Sequence, residues 1–157
     1  MSKKSILFVC LGNICRSPMA EGVFNKIIER EGLKNNFIVD SAGLISHHRG
    51  ELPDSRMRHY ARKRGYELTH LSRPFNRMDF DQFDMIIGMD EQNIDGLKDK
   101  AHTLEELNKI YRMVDFSVKY QPTHIPDPYY GGDQGFEHVI DLLEDACEEL
   151  FKKIQAD

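Results

Sequence analysis

Within eight residues, Cys10-Leu11-Gly12-Asn13-Ile14-Cys15-Arg16-Ser17, the chain collects the groups needed for chemistry on a phosphate-like anion. Cys10 is a strong nucleophile once it is a thiolate. Arg16 offers a planar fork for two oxygens of a tetrahedral oxyanion. Gly12 and Asn13 adopt positive φ most readily, so the chain can curl there and aim its N–H groups inward. Free N–H groups at a helix start, with the helix dipole behind them, attract anions and favour the thiolate over the thiol. The Ser17 hydroxyl is placed to donate to that thiolate. A single cysteine at a strand end is ordinarily a small buried hydrophobe, and a single arginine at a helix start is ordinarily solvated. The spacing, Cys followed by five residues and then Arg-Ser, is what points to function. No Gly-Lys-Ser/Thr is present, which excludes a Walker-type nucleotide loop.

Such a loop needs a strand before it and a helix after it, and the sequence supplies both. Ile6 to Val9 is a continuous apolar run, as in a parallel strand covered on both faces. Pro18 suits the first turn of a helix, and Met19, Val23, Phe24, Ile27 and Ile28 continue at helical spacing to a stop near Gly32. Phe37 to Val39 reads as a second strand, followed by Asp40-Ser41-Ala42-Gly43. Asp54 or Ser55 caps a helix reaching about Arg64, and a helical turn is expected over Arg77 to Phe80. Met85 to Ile87 is a third strand, Asp90 caps a helix carrying Ile94 and Leu97, and Leu104 and Leu107 mark another helical turn. Ile110 to Val114 is expected as a fourth strand, and Val118 to Gly132 as loop. From Asp133 onward, Phe136, Val139, Ile140, Leu143, Cys147, Leu150, Phe151 and Ile154 form one apolar stripe. The alternation predicts an α/β fold, a small doubly wound three-layer domain whose four-stranded parallel sheet is flanked by about five helices. Ligands in such folds sit beyond the C-terminal ends of the strands, where the Cys10 loop falls.

The totals agree. The 157 residues suit one domain spanning the whole chain, with 40% hydrophobic and 30% charged residues. A formal charge of −5 argues against general affinity for nucleic acid or an anionic membrane. Three cysteines, Cys10, Cys15 and Cys147, are too few and odd in number for a disulfide scaffold, so a reducing compartment is expected. The N-terminal apolar segment is too short for a signal peptide, and no stretch is long enough to span a membrane. A cytoplasmic monomer is the expectation.

The run Val9 to Pro18 resembles the signature of the low-molecular-weight protein tyrosine phosphatases. The resemblance continues in Asp40-Ser41-Ala42-Gly43, Pro53-Asp54-Ser55-Arg56, Met89-Asp90 and Asp127-Pro128-Tyr129-Tyr130-Gly131. It implies a Cys10 nucleophile attacking phosphotyrosine, a cysteinyl-phosphate intermediate, and hydrolysis with no metal or other cofactor. The partners implied are a phosphotyrosine-containing protein and an opposing tyrosine kinase.

A leaving phenolate needs a proton donor. Asp127, flanked by Pro126 and Pro128, is the candidate, although Asp-Pro by itself is equally a turn dipeptide. The resemblance favours a general acid that later acts as general base. It also implies that one or both of Tyr129 and Tyr130 wall the substrate ring, and in related proteins these tyrosines can be phosphorylated. Asn13, Ser41 and His70 are implied as a hydrogen-bond network holding the loop, with Asp90 as a helix cap that helps position the site. Related enzymes often have Trp where this chain has His47, so His47 and His48 are expected to alter substrate preference. Cys15 is either a small buried residue or a redox partner for Cys10. Three rivals are weaker. A thiol-dependent arsenate reductase needs further cysteines that Asp81 to Asp90 does not supply. A phosphoarginine phosphatase typically has Thr where this chain has Ile14. A non-catalytic phosphate-binding module would not retain Cys10, Arg16 and Asp127 together.

Overall fold

A computed structural model describes residues 3–130 and 132–157. The side chain of Tyr130 and all of Gly131 lie outside the described residues. Four strands, β1 (Lys4–Cys10), β2 (Phe37–Gly43), β3 (Met85–Gly88) and β4 (Ile110–Arg112), form one parallel sheet in the order β2-β1-β3-β4. The chain builds outward from β1 to β2, then crosses back to place β3 on the other side of β1. The switch point therefore lies between the C-terminal ends of β1 and β3.

The unbroken apolar run of β1 follows from its central place. Ile6, Phe8 and Cys10 face one core together with helices α1 (Arg16–Arg30) and α6 (Asp133–Ala156). Leu7 and Val9 face a second core with Phe80 of α3 (Asp79–Gln82), Ile86 of β3 and Leu97 of α4 (Glu91–Lys100). Side chains alternate along a strand, so a strand covered on both faces must be apolar throughout. Helix α2 (Ser55–Lys63) packs on α6, and α5 (Leu104–Leu107) is a single capped turn. Asp54 caps α2 by accepting from the N–H groups of Arg56 and Met57. No helix among the described residues is long and apolar enough to cross a membrane.

Several boundaries differ from expectation. Helix α1 starts at Arg16, two residues before Pro18, whose missing N–H still falls in the turn where none is needed. Strand β2 runs on to Gly43 because Asp40 to Gly43 pair with Leu7 to Cys10. Strand β4 stops at Arg112, and Met113–Phe116 turns into a 3-10 helix that buries Met113 and Phe116 against the α6 side of the sheet. The helical turn expected over Arg77 to Phe80 lies at Asp79–Gln82, and Pro128–Tyr130, expected as loop, forms a 3-10 turn. Among the described residues the α-helices number six, two of them single turns, in line with the expected flanking set.

Candidate active site

The sheet register places Cys10 level with Gly43 of β2, and Val9 level with Gly88 of β3. The C-terminal ends of β1, β2 and β3 thus lie side by side along one rim of the sheet. The Cys10 loop leaves that rim and curls back into α1. Beside it, the amides of Leu44 and Ile45 donate to the carbonyls of Cys10 and Leu11. Gly43 is required here, since a Cβ would stand 2.9 Å from the Leu11 carbonyl oxygen. The first turn of α1 has no side-chain cap, so its dipole and amides remain turned toward the loop.

The loop is held from behind by Asn13, which has φ 58° and is the one non-glycine residue with positive φ among the described residues. Its Nδ2 donates to the hydroxyls of Ser17 (2.8 Å) and Ser41 (3.0 Å). Its Oδ1 accepts from the Arg73 amide (3.0 Å) and lies 2.9 Å from His70 Nε2. Left-handed backbone at Asn is a modest strain, and this fully satisfied buried amide offsets it. Ser41 in turn donates to Glu21 Oε1 at 2.7 Å. Burial pushes the Glu21 carboxyl up to about 7, Ser41 pulls it down and Asp40 adds to the rise. Burial also holds the His70 imidazole below its usual value, with Asp40 opposing.

Cys10 Sγ lies 3.0 Å from Ser17 Oγ. Ser17 accepts from Asn13, and its own hydrogen has two acceptors in reach, the Cys10 sulfur at 3.0 Å and the Ala42 carbonyl at 3.5 Å. Arg16, 2% exposed, extends beneath the loop mouth. Its NH1 donates to Asp90 Oδ2 (2.6 Å) and to the Ile125 carbonyl (3.0 Å), while NH2 stands 3.7 Å from Asp127 Oδ2. Burial works against this guanidinium, but Cys10, Asp90 and Asp127 together raise it above its ordinary value. Asp90 has two tasks. Its Oδ1 caps α4 by accepting from the Asn93 amide, and its Oδ2 orients Arg16.

Asp127 arrives from a loop pinned beside the β3 end, where the Ile125 amide donates to the Met89 carbonyl. Its Oδ1 accepts from the Tyr129 amide at 3.0 Å, leaving Oδ2 toward Arg16. Cys10, Leu11, Gly12, Ile14, Cys15, Arg16, Ile45, His47, His48, Asp127 and Tyr129 line a cleft of about 220 Å³. That is below the ~300–1,000 Å³ of drug-sized sites and suits a single esterified side chain. The rings of His47 and His48 meet edge to face at 4.9 Å, and His48 lies 6.3 Å from the Tyr129 ring. His48 also pairs with Glu51 at 3.1 Å. Cys15 is buried with a free thiol, and burial, with Asp54 adding to it, pushes that thiol up.

The arrangement is that of a phosphate-ester site, and its relatives agree. The family described as low molecular weight phosphotyrosine protein phosphatase matches residues 5–157. The chain belongs to that family. A Synechocystis protein named for the same family is 45% identical over 95% of each chain. The crystal structure of a protein tyrosine phosphatase from Entamoeba histolytica, with Hepes in its active site, is 48% identical, covers 98% of each chain and superposes with a TM-score of 0.95. YfkJ of Bacillus subtilis is 39% identical over 99% of this chain and 97% of its own, with a TM-score of 0.92.

As a low-molecular-weight phosphatase the chain brings together every expected site residue that is described. Residues the sequence left unmarked also contribute. Arg56, quoted only as part of a motif, donates to the Tyr129 carbonyl and lies over the Tyr129 and Phe136 rings, bracing the turn after Asp127. Arg73 holds Asn13 through its amide, and Ser72 donates to the Gly12 carbonyl. Neither carries a sequence signal, because each acts on a loop about 60 residues away.

Proposed function

We propose that this chain is a protein tyrosine phosphatase that hydrolyses phosphotyrosine in proteins through a cysteinyl-phosphate intermediate. The observation that carries the reading is Arg16, one buried guanidinium shared between the Cys10 loop and the loop bearing Asp127. The phosphate rests in the loop against the backbone N–H groups from Leu11 to Ser17, with two oxygens on Arg16. The Cys10 thiolate attacks phosphorus in line with the bond to the phenolic oxygen. The P–O bond breaks, its electron pair goes to that oxygen, and Asp127 supplies the proton. Asp127, now a carboxylate, takes a proton from the water that attacks the cysteinyl phosphate. The P–S bond breaks, and Cys10 leaves as the thiolate with the Ser17 hydroxyl donating to it.

Tyr129, His47 and His48 form the wall against which the substrate ring lies. Asn13, Ser41, His70 and Asp90 keep the loop and Arg16 in place. The enzyme acts as a single-domain cytoplasmic monomer opposing a tyrosine kinase. Hydrolysis of aryl phosphates, with chelator present throughout, tests the reading. Activity is expected to vanish in Cys10→Ser and to fall in Asp127→Ala, most for esters with poor leaving groups. Full activity in Cys10→Ser would refute it.

A further inference from the structure

A second cavity opens beside the substrate cleft and shares three of its walls, Ile14, His48 and Tyr129. It has a volume of about 380 Å³. Its other side is the turn leading into α2, with Glu51 and Asp54, together with Arg58 of the helix itself. Hydrolysis makes no use of these added walls. One residue of extended chain spans about 3.3–3.6 Å, so the residues next to a phosphotyrosine seated in the cleft have this cavity in reach.

Each carboxylate of this cavity has a partner. Glu51 Oε2 lies 3.1 Å from His48 Nδ1. Asp54 accepts from two amides at the start of α2 and from Nε and NH2 of Arg56. Arg58 follows Asp54 by one helical turn, but that carboxylate is occupied by Arg56. Among the described residues the one side-chain bond of Arg58 runs from Nε to the Pro53 carbonyl at 2.9 Å. That bond fixes the half-buried guanidinium and leaves the NH1–NH2 end of its fork without an acidic partner there.

We propose that this cavity is a subsite for an acidic side chain, Asp or Glu, beside the phosphotyrosine, with Arg58 as the residue that selects it. The inference rests on the phosphatase reading and names the class of protein substrate within it. A carboxylate meets the open end of a guanidinium with two parallel hydrogen bonds. A fork already held at Nε loses little freedom in making them. The chain as a whole carries −5, so an acidic peptide has to be selected by a local cation rather than by the overall field. Glu51, whose side chain is 58% exposed, opposes the same ligand and limits the preference.

The probes are phosphotyrosine peptides in which one neighbouring residue at a time, on either side, is Gln, Glu or Lys. Their affinity for full-length Cys10→Ser is read by fluorescence polarisation, and kcat/KM by phosphate release with the wild type. At the position that reaches the cavity, Glu is expected to exceed Gln about 2- to 5-fold in both readouts, the range of a partly screened ion pair. Lys should fall below Gln. The Glu-to-Gln ratio should approach one in Arg58→Gln, invert in Arg58→Glu and grow in Glu51→Gln. Arg49 is exposed and lines neither cavity, so Arg49→Gln should keep the ratio. No position that favours Glu, or the same loss in Arg49→Gln as in Arg58→Gln, overturns the proposal. Should a variant fail to fold, the wild-type protein decides, because added salt should shrink the preference and a preference that salt leaves unchanged overturns it. Peptides hydrolysed without any preference refute the subsite alone. Peptides bound with the preference but never hydrolysed refute the phosphatase reading alone.

Discussion

Replacing Asp90 with Asn separates two jobs that one carboxylate performs. Oδ1 accepts from the Asn93 amide at 2.8 Å and caps α4, while Oδ2 accepts from Arg16 at 2.6 Å. Asparagine caps a helix as well as aspartate does, so Asp90→Asn leaves α4 intact and removes the charge facing Arg16. The partner guanidinium is almost wholly buried and the Asp90 side chain is 20% exposed, so solvent screens the pair only partly. A hydrogen bond between charged groups contributes about 1.5–3 kcal/mol. If that orientation is lost in the transition state, kcat/KM falls about 10- to 100-fold, at roughly 1.4 kcal/mol per tenfold. Arg16 keeps its bond to the Ile125 carbonyl, which places the effect at the lower end. The assay is kcat/KM for an aryl phosphate, with the inhibition constant of inorganic phosphate and urea unfolding alongside. Asp90→Ala should show the same kinetic loss and a further ~1 kcal/mol of destabilisation from the missing cap. Wild-type kcat/KM in Asp90→Asn, or equal destabilisation of both variants, would refute the reasoning.

Three further outcomes are expected. The Arg56 side chain and two backbone amides outweigh burial and hold Asp54 below the usual carboxylate value. Its charge therefore stabilises the fold above about pH 4 and stops doing so as pH falls through its lowered value. Urea midpoints of wild type and Asp54→Asn should converge on acidification, and a constant gap would count against this. Mild peroxide should convert Cys10 to a sulfenic acid that Cys15 closes to a disulfide, releasing water. Because burial keeps the Cys15 thiol protonated, closure waits on opening of the loop, and mass spectrometry showing only Cys10 sulfonate would exclude the switch. His47→Trp should change relative kcat/KM across phosphopeptides while leaving a small aryl phosphate within a few-fold, and unchanged peptide preference removes His47 from the specificity wall.

Much of the site was legible because its core is contiguous. Strand, loop and helix start follow each other directly, so Cys10, Arg16 and Ser17 needed only local geometry to converge. The apolar stripe of α6 was equally plain, since a long amphipathic helix encodes its buried face in its own period. The errors fell where tertiary contacts overrode local preference. Ile110 to Val114 has strand composition throughout, yet Met113 turns away because the core beside α6 takes it and Phe116. Asp40 to Gly43 lacks the apolar composition of Phe37 to Val39, yet it continues β2 because β1 offers paired backbone alongside.

By itself the sequence set out the groups for the chemistry, namely a cysteine, an anion-binding loop and an arginine within eight residues. The tertiary structure decided what those groups work with. Asp90 and the Ile125 carbonyl reach Arg16 across 74 and 109 residues, and Glu21, Asp40 and His70 meet behind Asn13 from three segments. Periodicity and propensity record interactions a few residues apart. Only the strand order β2-β1-β3-β4, which sets the ends of β1 and β3 side by side, brings the Asp127 loop to the Cys10 loop.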